Sequence, residues 1–173
     1  SKAPVTSALA VAGEVSRTAA LENLPEVHLW TEWLIPGGFA APASPGIVWL
    51  NVLESSSGKR VCTVYLVDTD TLKAVIDTSG GPVTYTLATG VSTNTRHQLR
   101  VSVRVSAGSF LQIWYDTVGV VNVAPTFSAT QITQIKVGAL VPAGWTGTVY
   151  DGRLELNADS QFVTDLDVAG MFS

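Results

Sequence analysis

The chain has 173 residues, a net charge of −4, a charged fraction of only 14% and a mean hydropathy of +0.30. That length lets one sandwich or barrel domain bury a core without disulfides or a metal, and the single Cys62, set among Val61, Val64 and Leu66, rules out an intrachain disulfide and reads as a small buried hydrophobe. With Lys2 and Arg17 as the only cations before residue 59 there is no electrostatic footprint for nucleic acid or an anionic membrane surface, and no apolar run approaches the ~20 residues that membrane insertion as a helix requires.

Ser1 to Asn23 is rich in Ala, Ser, Thr and Val, holds no aromatic residue, and is read as an N-terminal arm over residues 1–23. Gly13 and the β-branched residues oppose a helix over Leu9 to Leu21, so an extended arm competes with it. The opening Ser-Lys-Ala-Pro does not have the form of a secretory signal. From Glu26 the character changes. Strand-like runs follow over Val27 to Ile35, Ile47 to Leu53, Arg60 to Asp68, Leu72 to Thr78, Val83 to Leu87, Arg96 to Val105, Phe110 to Thr117, Gln131 to Val137 and Thr146 to Asn157. Pro36-Gly37-Gly38, Ala41 to Pro45, Ser55 to Gly58, Ser79 to Pro82 and Ala107-Gly108 supply turns and loops between them. Such a series of strands predicts an all-β chain, an antiparallel β-sandwich over residues 24–161, followed by a C-terminal tail, 162–173.

The clearest strand is Leu99-Arg100-Val101-Ser102-Val103-Arg104-Val105, strictly alternating apolar and polar, the signature of one buried face. Matching it core to core with the following strand across Ala107-Gly108 pairs Val105 with Leu111, Val103 with Ile113 and Val101 with Tyr115. The outward pairs are then Arg104 with Gln112, Ser102 with Trp114, and Arg100 with Asp116, the last of opposite charge. Leu99, Val101, Val103, Val105, Leu111, Ile113, Tyr115, Leu154 and Leu156 form the expected core of this half. Trp33 shares parity with Val27, Leu29 and Ile35 and belongs inside, whereas Trp30 alternates with His28 and Glu32 and faces outward or is half-buried.

Val27 to Trp33, Val61 to Val67 with Thr71 to Ile76, His97 to Val105, Leu111 to Asp116, Ile132 to Gly138 and Trp145 to Leu156 together resemble the laminin-G-like, or concanavalin A-like, jelly-roll superfamily. The resemblance covers Glu26 to Asn157 and implies a jelly-roll sandwich and, more weakly, carbohydrate binding. Where members commonly turn through Asp-Gly, this chain has Asp116-Thr117-Val118-Gly119.

Glucanases of that architecture carry Glu-x-Asp-x-x-Glu on one strand, and this chain has no such sequence. Its nearest approach, Asp151-Gly152-Arg153-Leu154-Glu155, does not supply two carboxylates across one glycosidic bond. Polysaccharide lyases of similar fold combine His, Tyr, Arg and Gln. Arg96, His97, Gln98 and Tyr115 provide those types, but His97 has core-facing parity and reads as a structural histidine. Asp68-Thr69-Asp70 has oxygen ligands for a hard cation, yet reads as a solvated turn. His28, His97 and Cys62 do not have zinc-site spacing. These observations predict no enzyme, no metal and no cofactor.

The expected function is that of a structural or decoration protein of an assembly, most concretely a tailed-phage virion component. Ala-rich and small-residue termini fray unless something ties them down, and neighbouring subunits are the simplest tie. Leu9, Val11, Leu21, Leu166, Val168, Met171 and Phe172 would supply the apolar anchors of a homo-oligomer or a larger assembly. The alternative is a lectin-like carbohydrate-binding module, extracellular or at a cell surface, that takes a surface glycan on the outward residues Trp30, Arg100, Arg104, Gln112 and Trp114.

Overall fold

In the computed structural model the alternation of Leu99 to Val103 separates two environments: the odd positions are wholly buried, while Arg100 and Arg104 on the opposite face are half-buried. The structure describes residues 13–35, 37, 41, 46–141 and 150–157. Among these there are eleven strands and no helix. They are β1 (Gly13–Leu24), β2 (Glu26–Ile35), β3 (Ile47–Glu54), β4 (Lys59–Val67), β5 (Thr71–Thr78), β6 (Gly81–Ala88), β7 (Thr95–Arg104), β8 (Phe110–Tyr115), β9 (Val118–Val123), β10 (Ile132–Val141) and β11 (Tyr150–Asn157).

One sheet has six strands in the order β1-β10-β3-β4-β5-β6 and the other five in the order β11-β2-β7-β8-β9, antiparallel throughout. The chain is therefore an antiparallel β-sandwich of jelly-roll type. The core between the sheets joins Val27, Leu29, Trp33 and Ile35 of β2 and Leu99, Val101 and Val103 of β7 to Leu50, Val52, Val64, Leu72 and Ile76 of the six-stranded sheet. Cys62 lies in this core, where burial pushes its thiol up to about 12. Leu154 and Leu156 stand in register with Thr31 and Leu29.

Three expectations are corrected. The segment read as an arm forms, from Gly13, an edge strand paired with β10, and Leu21 of that strand packs half-buried on the chain's own core. Leu9 and Val11 lie outside the described residues. The β7–β8 hairpin keeps its predicted faces but slips by one dipeptide: Leu99 pairs with Tyr115, Val101 with Ile113 and Val103 with Leu111. Gly108, at φ 73°, explains the slip. A left-handed glycine closing a short hairpin loop sets the turn around Ser106-Ala107-Gly108, one residue earlier than core matching had centred it. Finally, the strand read over Phe110 to Thr117 ends at Tyr115, and β9, absent from the strands expected, follows through a two-residue turn that contains no glycine. Asp116 and Thr117 take φ of 45° and 71°, and the strain of a β-branched residue there is offset by tertiary bonds to Asp116.

Candidate functional site

The outer face of the five-stranded sheet is where the outward-reading residues meet. Register across β2, β7 and β8 produces three rows: Trp30, Arg100 and Trp114; His28, Ser102 and Gln112, extended to Asn122 of β9; and Glu26, Arg104 and Phe110. Rows are separated by one dipeptide, about 7 Å, and strands by about 4.8 Å, so the patch spans about 10 by 14 Å.

Its polar groups are fixed from below. Arg104 donates from Nε and Nη2 to Glu26 Oε2 at 2.7 and 2.5 Å, and its guanidinium stands 5.2 Å from the Phe110 ring centre. The other Glu26 oxygen lies 3.0 Å from His28 Nε2, while His28 Nδ1 lies 2.7 Å from Ser102 Oγ. Further along, Glu32 accepts from Arg96 Nη1 at 3.3 Å and from Gln98 Nε2 at 3.4 Å. Gln112 Nε2 donates to Asn122 Oδ1 at 3.2 Å. Glu26, His28 and Ser102 are buried, and such charge-assisted pairs hold the face in one arrangement.

The two tryptophans of the central row differ. Trp30 is only 8% exposed, which corrects its reading as outward or half-buried: it is part of the floor. Trp114 is half-buried, and its indole leans over Gly119 of β9, where a Cβ would stand 3.4 Å from Nε1. Arg100 is half-buried between them. The sequence reading missed the Glu26–Arg104 pair and the His28–Ser102 contact; His28, Trp30 and Glu32 share strand parity, which was the available signal.

The four residues with lyase-like chemistry are divided between faces. Arg96 and Gln98 are outward, whereas His97, at 3% exposure, and Tyr115 belong to an inner aromatic cluster with Trp33 and Trp49. His97 Nε2 donates to the Ser92 carbonyl at 2.8 Å, and Nδ1 lies 2.7 Å from Asp116 Oδ2 and 2.8 Å from the Tyr115 hydroxyl. Burial, and then the Asp116 charge, raise the Tyr115 phenol above its usual range. Asp116 also accepts from the Gln98 backbone N–H at 2.8 Å, so the expected Arg100–Asp116 pair is replaced by Arg100 opposite Trp114. Asp68 is exposed, with Lys73 Nζ at 3.6 Å. Among the described residues no group of three His, Cys, Asp or Glu is arranged to hold a metal. Leu166, Val168, Met171 and Phe172 lie outside the described residues.

No family model and no curated protein matches the chain. Solved structures do. An alginate lyase, AlyC3, is 14% identical with a TM-score of 0.59, over 78% of this chain and 66% of its own. An endo-β-1,4-glucuronan lyase from the fungus Trichoderma reesei is 12% identical with a TM-score of 0.58, over 90% and 87%. The galectin LEC-6 of Caenorhabditis elegans is 10% identical with a TM-score of 0.56, over 85% and 94%. The chain spans less than two thirds of some structures that it matches, 14% of a sialidase among them. At these identities the likeness is one of fold, a concanavalin A-like jelly roll; membership of the laminin-G branch is not shown. The expectation of a non-enzyme is overturned as an inference from fold, because polysaccharide lyases share this architecture. The missing glucanase motif excludes one chemistry, not catalysis.

Proposed function

We propose that the outer face of the five-stranded sheet recognises a glycan, with Trp114 as the stacking surface and Arg100, Arg104 and Gln112 as polar contacts around it. The observation that carries this reading is the in-register row of Trp30, Arg100 and Trp114. A sugar ring offers an apolar C–H face and a rim of hydroxyls, and a half-buried indole beside guanidinium and amide donors meets both. Arg96 and Arg104 are paired with Glu32 and Glu26, but each guanidinium has further N–H groups beyond those bonds, and these, with Arg100 on the same side of β7, suit a glycan that bears carboxylates. The likeness in fold to alginate and glucuronan lyases and to a galectin supports the ligand class.

The test is titration of the protein with uronate-containing and neutral oligosaccharides, followed by calorimetry. Uronate oligomers should bind more tightly, and Trp114→Ala should weaken binding about 10-fold or more, the loss of one stacking contact. Equal binding by wild type and Trp114→Ala would overturn the reading. Attachment to an assembly such as a phage virion is a separate proposal, supported by the composition of the terminal segments, and is tested by whether truncated chains still attach.

A further inference from the structure

Among the described residues, one side of the sandwich is built from sequence without charge. From Thr78 to Thr95, and again from Thr117 to Ile135, the sequence has no Asp, Glu, Lys or Arg. These stretches contain two edge strands that neighbour one another, β6 of the six-stranded sheet and β9 of the five-stranded sheet. The exposed large hydrophobic side chains of the described residues are here, Val118 at 62% and Val83 at 37%. An edge strand presents unpaired N–H and C=O groups and is normally blunted by Lys, Pro or an inward charge. In β6, Pro82 serves that purpose. In β9, Val-Gly-Val-Val-Asn-Val, there is neither charge nor proline, only a bulge at Val120 between the Gly119 and Val121 pairings.

We propose that β9 pairs antiparallel with β9 of a second copy of this chain, joining two five-stranded sheets edge to edge. A two-fold contact brings residues near their own copies, so a charge at its centre would face a like charge. An uncharged edge avoids that repulsion and also offers no handle for a partner of opposite charge. The two-fold axis of such a continuous sheet is normal to it, so both outer faces point the same way. If those faces bind glycan, as proposed above, the dimer engages a surface glycan at two points, with a gain in avidity on the order of 10²–10⁴.

Sedimentation of the full chain over a concentration series tests the pairing. The wild type should reach a dimer, and Val118→Lys and Val118→Glu, at a position 62% exposed, should each remain monomeric with unchanged melting. A wild type monomeric throughout, or a dimer that survives both substitutions, overturns the proposal. Hydrogen exchange of the wild type adds a second readout that needs no variant. Amides of Val118 to Val123 should gain protection as concentration rises; gain in β6 instead, or none, contradicts it. The glycan reading fails separately: monomeric Val118→Lys should still bind soluble uronate oligomers and lose only avidity for an immobilised glycan.

Discussion

The inner and outer faces of the five-stranded sheet come from the same strands and obey opposite rules. Inside, β7 contributes Leu99, Val101 and Val103, wholly buried and packed on the aliphatic residues of the other sheet. Outside, the same strand contributes Arg96, Gln98, Ser102 and Arg104, ordered by the Glu32 and Glu26 carboxylates and the His28 imidazole of β2, with Arg100 on the same face. The inner face is held by lost water, which is non-directional; the outer face is held by directional bonds, which fix where donors point. Stability should therefore reside in one face and recognition in the other.

The largest expected break of this division is Leu99→Ala. It removes wholly buried methyl groups and should cost about 2 to 5 kcal/mol in urea unfolding, with glycan affinity unchanged once the protein is folded. An affinity loss at saturation of the fold would show the faces to be coupled. Arg104→Ala is expected to be intermediate, about 1 to 3 kcal/mol, because it strands the buried Glu26 carboxylate. It corrects the simpler idea of a freely solvated outward arginine. Restoring part of the loss with Glu26→Gln in the same chain would confirm that the unpaired carboxylate is responsible; no restoration would assign the cost to packing on Phe110.

Much of this division was legible in sequence, because period-2 alternation needs no knowledge of partners. It assigned Leu99, Val101 and Val103 inward and grouped Arg100, Arg104, Gln112 and Trp114 outward. What it could not supply was anything stabilised by a distant residue. The Asp116-Thr117 turn carries no glycine, and its positive φ angles are sustained by bonds from Gln98 and His97, far along the chain. The burial of Trp30 and the Glu26–Arg104 pair arise from the neighbouring strands. Gly108 did contain the hairpin register, had its left-handed position been counted before the core match. The β1 strand, with Ala19-Ala20 and Glu22, has weak strand propensity and exists through pairing with β10.

Acid sharpens the comparison by a smaller effect, because the carboxylates whose pKa values are lowered belong to the six-stranded sheet. Glu54 is held below its ordinary 4.5 chiefly by the Ser57 hydroxyl, with Thr130 and Lys59 helping. Asp77 is held below 3.8 by the hydrogen-bonded Arg60 guanidinium. A carboxylate with a lowered folded pKa stabilises the fold above its unfolded value, and that contribution disappears as pH falls through the folded one. Stability should thus decline below about pH 4.5, and Glu54→Gln should flatten the decline. An identical slope in the variant would remove Glu54 from the account.

The most direct measurement of the central claim follows the indole N–H resonances during titration with a uronate oligosaccharide. Trp114 should shift while Trp33 and Trp49, stacked at 5.6 Å inside the sandwich, remain unmoved. Shifts at Trp33 and Trp49 with Trp114 unchanged would contradict the assignment of recognition to the outer face.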